Sequence, residues 1–144
     1  MEKIWLWLQI GFAALGGWLG VLLGGLDGLL YILLTFAILD YASGLMCAIA
    51  EKKLSSEVGF RGICKKILIF AVVALAHMLD AHIIGAIGVA GDYSAIRTAA
   101  IFFYLSNEGV SLLENVTRLG LPVPSRIKAI LAQLHGKEGK KYDD

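Results

Sequence analysis

Long apolar stretches separated by short polar connections dominate the sequence as far as about residue 113. The first stretch has no charged residue, the second is interrupted only by Asp40, and the two later stretches contain several ionisable side chains. A helix of ~20 residues crosses a hydrocarbon core of about 30 Å. The pattern therefore predicts an all-α, polytopic integral membrane protein. The predicted spans are residues 4–26, 29–50, 67–90 and 96–113.

The number of spans is three or four, because two of the stretches have a second interpretation. The first could be a signal peptide or a re-entrant segment, but its uncharged length exceeds the apolar core of a usual signal peptide. An uncleaved span is therefore favoured. The fourth stretch is the least apolar, since Asn107 and Glu108 lie well inside it. Glycine-rich residues 24–28 predict a tight helical hairpin between the first two spans.

The chain changes character after the fourth stretch. A Gly-Leu-Pro-Val-Pro segment breaks the helix, and Ser125 can cap a new one. Apolar residues from Ile127 to Leu134 then recur at i, i+3, i+4 and i+7, which predicts a short amphipathic helix. Residues 1–118 are expected to form the transmembrane domain. Residues 119–144 are expected to form a cytoplasmic Pro-containing linker, the amphipathic helix and a charged tail.

Composition supports the membrane assignment and excludes several other classes. Hydrophobic residues make up 58% of the 144 residues and charged residues 17%, whereas a soluble domain carries ~25% charged residues. This excludes intrinsic disorder and argues against a water-soluble domain. A net charge of +1 gives no basic field for nucleic acid. The two cysteines form neither a disulfide framework nor a zinc motif.

The distribution of Lys and Arg predicts the orientation. Basic residues are concentrated in the connection 51–66 and after the fourth stretch, while the connection before Arg97 has none. By the positive-inside rule, both basic segments lie in the cytoplasm. We therefore expect a multi-pass protein of the cytoplasmic membrane with a cytoplasmic C-terminus. The basic residues singled out in the connection are Lys52, Lys53, Lys65 and Lys66.

Glycines recur every four residues along the first stretch. If this stretch is helical, Gly16, Gly20 and Gly24 form one smooth ridge. Such ridges let helix backbones approach closely within a bilayer. The ridge predicts helix packing, either between copies of the chain or against the second span of the same copy.

Each of the later spans contains polar or ionisable side chains. A charge at the bilayer centre costs ~2.5–3.5 kcal/mol on insertion scales, so these groups are not expected to face lipid. They either line water in an oligomer or form hydrogen bonds between the helices of a dry bundle. The first interpretation is favoured, because one small bundle offers little interior to hide three carboxyl groups. The residues concerned are Asp40, Ser43, Asp80, Tyr104, Asn107, Glu108 and Ser111.

The sequence predicts no catalytic, cofactor-binding or metal-binding site. His77, Asp80 and His82 do not all share one helical face, which is a poor match for a metal site. Ser55 is better explained as a helix cap than as a nucleophile. No phosphate-binding loop or nucleophile motif occurs. We therefore expect a non-enzymatic protein that requires no cofactor, with the lipid bilayer and further copies of itself as partners.

Six short motifs occur in a fixed order between about Ile38 and Leu134. They read DYASG at 40–44, KKLSS at 52–56, GFRG at 59–62, KK at 65–66, NEGVSLLEN at 107–115 and GLPVP at 120–124. In this order and spacing they resemble the phage-lysis and toxin-secretion holin family of Gram-positive bacteria and their phages. The Asn-Glu-x-x-Ser block followed by Gly-x-Pro-x-Pro is the most specific part.

The resemblance implies a function in export. Such holins accumulate in the cytoplasmic membrane as inert homo-oligomers, and at a set time they form lesions that release an endolysin or a large clostridial-type toxin. The family has no catalytic residues to carry over. The residues that correspond to its recurrent positions are Asp40, Lys53, Ser55, Asn107, Glu108 and Ser111.

Two other functions fit the same pattern of spans. A small non-lytic ion or solute channel would pass ions and exclude proteins. An antiholin or accessory membrane protein would leave the membrane sealed when expressed alone. A membrane enzyme is the weakest alternative, since no catalytic constellation is recognisable.

Overall fold

A computed structural model describes residues 1–87, 94–127 and 129. Within these ranges the chain is helical apart from turns and short connections, and it has no strand, which confirms the all-α prediction. The helices are α1 Glu2–Leu22, α2 Gly28–Ala50, α3 Ser56–Leu79 with a π-helical continuation Asp80–Ile84, and α4 Ala95–Arg118. Three of them, α1, α2 and α3 together with its π-helical end, are long and apolar enough to cross a membrane.

The predicted hairpin between the first two helices is present. Gly24 and Gly25 have φ values of 81° and 101°, in the left-handed region that glycine adopts without strain. The Gly25 amide donates to the Gly20 carbonyl at 2.8 Å and closes the end of α1. Asp27 begins α2 as its N-cap, because its carboxylate accepts from the Leu30 amide at 3.0 Å.

The glycine ridge is shorter than expected. Gly24 is not part of a helical ridge, because α1 ends at Leu22 and Gly24 lies in the turn. A Cβ at Gly24 would lie 2.6 Å from His77 Nδ1, so glycine is needed there for close packing against α3. Gly20 packs on Leu26 of its own turn, and a Cβ at Gly16 would meet no atom within 4 Å.

The connection 51–66 is mostly helical, which corrects its expected extent. Ser55 caps α3 by accepting from the Val58 amide at 3.2 Å, as predicted, so Lys65 and Lys66 lie on α3 itself. At the end of α2, Lys52 has a φ of 56°. The left-handed conformation costs a non-glycine residue on the order of 1 kcal/mol.

The predicted span boundaries also shift at the third and fourth helices. α3 begins eleven residues before the predicted start at 67, and α4 extends past 113 to Arg118. Residues 88–90 of the third predicted span lie outside the described residues. So do most of the predicted amphipathic helix and the charged tail, although residues 125–127 are helical.

Helices α2, α3 and α4 form one packed body, here called the three-helix unit. α2 and α4 run parallel, because Arg97 contacts Asp27 at one end and Arg118 contacts Glu51 at the other. α3 runs antiparallel to both. The apolar core of the unit consists of Leu30, Leu33, Ile69, Val73 and Ile101. α1 lies outside the unit, and Gly20 is its only buried residue.

Candidate functional site

Two polar clusters lie at different levels of the three-helix unit, with the apolar core between them. The first, the carboxylate–lysine cluster, consists of Asp40, Ser43, Lys66, Glu108 and Asn115. The second, the arginine clamp, consists of Asp27, Asp80 and Arg97 together with the backbone of the α1–α2 turn. Both clusters join all three helices of the unit.

Lys66 is the centre of the carboxylate–lysine cluster. Its ammonium group donates to Asp40 Oδ2 on α2 and to Glu108 Oε2 on α4. The exposed fractions of these three side chains are 18% for Lys66, 10% for Asp40 and 7% for Glu108. One cation from α3 therefore holds a carboxylate of each neighbouring helix.

Asn115 completes the cluster from α4. Its Nδ2 donates to Asp40 Oδ1 at 3.1 Å and to Ser43 Oγ at 3.0 Å. Cys47 on α2 in turn donates from Sγ to the Asn115 carbonyl at 3.4 Å. Among the described residues, no buried side-chain nitrogen or oxygen lacks a hydrogen-bond partner. The cluster is therefore internally satisfied.

This arrangement is stable only as a whole. Removing one partner of a buried ion pair costs about 3–5 kcal/mol, since the remaining charge stays buried and uncompensated. Here two carboxylates share one ammonium group, so the lysine is the partner whose loss leaves the most charge unpaired. In this closed state the cluster connects α2, α3 and α4.

The arginine clamp fixes the α1–α2 turn onto the start of α4. The Arg97 guanidinium donates to Asp27 Oδ2 at 2.7 Å, to the Leu23 carbonyl at 2.6 Å and to the Gly25 carbonyl at 3.0 Å. Arg97 is 3% exposed. Its hydrogen bonds lower the pKa of Asp27, which lies in the turn outside the spanning helices.

Asp80 supports the clamp from the π-helical end of α3. It is fully buried, and its carboxylate accepts from the Ile96 amide at 3.0 Å and from the Arg97 amide at 2.7 Å. These are unpaired amides of the first turn of α4, where a carboxylate is favoured by the helix dipole. Asp80 thereby positions the backbone of Arg97.

A cleft of about 570 Å³ opens beside the carboxylate–lysine cluster. Tyr104, Asn107 and Ser111 of α4 line it together with Glu108, and Lys65 lines it from α3. Asn107 is exposed and Ser111 is half-buried. The cleft brings most of the predicted polar residues to one place, whereas Asp80 lies at the other cluster.

The structure corrects two expectations about these residues. Lys66 belongs to the buried cluster and not to a cytoplasmic loop. A single chain also hides three carboxyl groups, since the exposure of the whole residue is 8% for Asp40, 0% for Asp80 and 5% for Glu108. One small bundle therefore does have the interior to do so, contrary to expectation, because Lys66 and the first amides of α4 supply the required partners.

Sequence reasoning missed the pairings that define both clusters. Arg97 and Asp27 flank neighbouring helix ends with opposite charges, which was a usable signal. Tyr41 also packs across α3, donates to the Gly59 carbonyl at 3.3 Å and leaves no room for a Cβ at Gly62. Gly62 of the GFRG motif therefore serves close packing of α2 against α3.

No metal site is visible in the part of the chain that the structure describes. Across residues 1–87, 94–127 and 129, no three His, Cys, Asp or Glu side chains converge as ligands.

Comparison with known proteins identifies the family. The sequence matches the bacteriophage holin family model over residues 17–136. An uncharacterized protein of Listeria innocua is 40% identical over 136 residues, covering 94% of this chain and 92% of the relative. An uncharacterized 14.9 kDa protein from the nagH 3′ region of Clostridium perfringens is 38% identical, covering 96% of this chain and all of the relative.

A phage protein is also similar. The probable holin of Bacillus phage phi105 is 33% identical over 113 residues, which cover 78% of each chain. No solved structure matches this chain. The family match and the apolar helices together point to a non-enzymatic membrane protein. The chain belongs to the bacteriophage holin family.

Proposed function

We propose that this protein is a holin that self-associates in the cytoplasmic membrane and forms lesions through which an endolysin or a large toxin leaves the cytoplasm. The observation that supports this most is the carboxylate–lysine cluster. It places the polar face of α4 and the carboxylate of α2 inside the closed unit, where opening would expose them together.

The closed unit corresponds to the inert state. Asp40 and Glu108 are held by Lys66, so none of these charges needs to face lipid. Separation of α4 from α2 and α3 would break the pair of Glu108 with Lys66 and release the side chain of Asn115 in one step. The freed polar groups are too costly to expose to hydrocarbon, so opening is favourable only where several copies enclose water.

The geometry of α4 fits this role although α4 is the least apolar helix. It runs alongside α2 over the whole length of α2, from Asp27 to Glu51. If α2 crosses the bilayer, α4 would therefore cross the same thickness of hydrocarbon beside it. Its polar residues face the cleft and the cluster in the closed unit and would face the lumen in the open one.

α1 supplies the surface for self-association in this proposal. Its side chains are exposed along nearly the whole helix, including Trp5, Trp7 and Trp18. Gly16 leaves open space at the helix surface, so another helix can approach its backbone closely. Membrane potential can set the timing, because moving one charge through 100 mV is worth about 2.3 kcal/mol.

The orientation follows from the basic residues. Lys52 and Lys53 lie at the end of α2 opposite the arginine clamp, so this end and the C-terminus are proposed to be cytoplasmic. The name of the phage relative supports lysis, and therefore an endolysin as the first cargo to test.

The test is inducible expression in a bacterium that contains a cytosolic endolysin without its own export signal. Culture turbidity and membrane potential are followed together. The proposal expects abrupt lysis after a delay, with collapse of the potential. A matched control is Glu57→Gln, which removes an exposed carboxylate far from the cluster and should leave the timing unchanged.

Two results would contradict the proposal. Collapse of the potential without lysis would indicate a small ion or solute channel. A membrane that stays sealed, after insertion has been verified by fractionation, would indicate an antiholin or accessory protein.

A further inference from the structure

The connection between α2 and α3 and the start of α3 combine exposed basic and exposed apolar side chains. Lys52 and Lys53 are exposed, and so are the apolar residues Leu54 in the connection at 51% and Phe60 on α3 at 70%. Basic residues next to exposed aliphatic and aromatic ones are typical of segments at the interface between headgroups and acyl chains.

The length of α2 places this connection at the bilayer surface. Its 23 residues span about 34 Å, close to the thickness of a hydrocarbon core. If Asp27 lies at one face of the bilayer, Lys52 and Lys53 therefore lie at the headgroups of the other. This holds whether or not the protein forms lesions.

The neighbouring carboxylates are already engaged by arginines. Glu51 accepts from Arg118 at 2.6 Å, and Glu57 accepts from Arg61 at 2.9 Å. Lys53 has a longer contact of 3.5 Å to Glu51, and its side chain is 76% exposed. Lys52 has no ion-pair partner among the residues that the structure describes. The two lysines therefore present positive charge outward.

The backbone adds a second observation at Lys52. Its amide donates to the Ile49 carbonyl, and its φ of 56° is one that glycine adopts freely and lysine does not. The helix end alone would be better served by glycine. The lysine is thus unfavourable for the turn and directs a long cationic side chain from the tip of the connection.

We propose that Lys52 and Lys53 bind the phosphate of anionic phospholipids in the leaflet at the C-terminal end of α2, with Leu54 and Phe60 inserted beside the bound headgroup. The positive charge of the lysines selects an anionic lipid over a zwitterionic one. This surface anchors the α2–α3 connection at the membrane.

The test uses the purified full-length chain, reconstituted with equal amounts of phosphatidylglycerol and phosphatidylcholine and analysed by native mass spectrometry. Wild-type protein should retain phosphatidylglycerol preferentially. Lys52→Asn and Lys53→Gln should each lower this retention about fivefold. Lys52→Arg should preserve it, and Lys3→Gln removes a charge elsewhere and should have no effect.

A thermal unfolding curve separates lipid binding from folding. Asparagine tolerates the left-handed conformation, so Lys52→Asn should unfold at the same or a higher temperature while it loses lipid. Equal retention of phosphatidylglycerol by the wild type and by the double variant Lys52→Asn/Lys53→Gln would overturn the proposal. Displacement of the lipid by inorganic phosphate at the same concentration would also overturn it, because the site would then bind free phosphate.

Discussion

α1 and the three-helix unit are both apolar, but α1 is almost entirely exposed whereas the helices of the unit pack against one another. α1 has no charged residue between Lys3 and Asp27, and only Gly20 is buried along it. α2, α3 and α4 each contain ionisable residues, and all three pack together around them. In a bilayer, apolar side chains do not distinguish lipid from protein, so polar partners decide which helices associate.

The comparison separates two roles within one small chain. Across the residues that the structure describes, the three-helix unit satisfies its buried side-chain nitrogen and oxygen atoms internally. α1 leaves almost its whole apolar surface for lipid or for other copies. We therefore expect mutations in the unit to alter opening, and mutations on α1 to alter association.

The largest effect is expected from Lys66→Met. It leaves the Asp40 and Glu108 carboxylates buried without a cation, which costs about 3–5 kcal/mol. The unit should open or fail to fold, measured as protease accessibility in membranes and as early loss of membrane potential. Adding Asp40→Asn and Glu108→Gln to Lys66→Met should restore protection. A triple variant that is as accessible to protease as Lys66→Met would contradict the role of the cluster in holding the helices together.

The next effect is expected from Arg97→Lys. Lysine keeps the charge but loses the planar fork that reaches two carbonyl groups and the Asp27 carboxylate at once, at a cost of about 2 kcal/mol. The α1–α2 turn should become accessible to protease while the carboxylate–lysine cluster remains intact. A turn that stays protected would show that the clamp does not hold α1 in place.

Single neutral replacements in the cluster should act on timing more than on folding. Glu108→Gln and Asp40→Asn each leave Lys66 with one carboxylate partner. The three helices therefore stay connected, but the free energy that holds the cluster closed changes by about 1 kcal/mol. Lysis onset after induction should shift relative to the wild type and to the control Glu57→Gln. Unchanged timing in both variants would remove the cluster from the opening step.

The smallest effect is a pH dependence at the clamp. Hydrogen bonds from Arg97 lower the pKa of Asp27 in the folded protein. Asp27 therefore stabilises the fold above its ordinary pKa of about 3.9, and this contribution is lost as the pH falls through the lower folded value. The unfolding temperature should fall more with acid in the wild type than in Asp27→Asn. Parallel curves would contradict the pairing.

The sequence predicted the elements better than their partners. Apolar length located the four helices, and the glycines at 24 and 25 marked the turn between α1 and α2. The start of α3 was missed because charged residues such as Arg61 and Lys65 resembled a loop. They lie on exposed or cleft-lining positions of a helix instead.

The pairings at the site needed three-dimensional register. Asp40, Lys66 and Glu108 are far apart in the sequence, and only the packing of three helices brings one lysine between two carboxylates. The spacing of Tyr104, Glu108 and Ser111 places them on one face of α4, and all three line the cleft. Whether this face of α4 contacts water or protein depends on Lys66 of α3, the cation that pairs with Glu108. The periodicity of α4 alone carries no information about that cation.

The most direct test of whether the carboxylate–lysine cluster opens uses Cys47 on α2. This residue is 1% exposed, and its Sγ donates a hydrogen bond to the Asn115 carbonyl on α4. In a Cys64→Ala background, cells are treated with a membrane-impermeant thiol reagent before induction of lysis and again at its onset. The account predicts that Cys47 is unreactive while the unit is closed and becomes labelled as the lesion forms. Lysis with Cys47 still unlabelled would show that α2 and α4 stay together, and would contradict the opening of the carboxylate–lysine cluster.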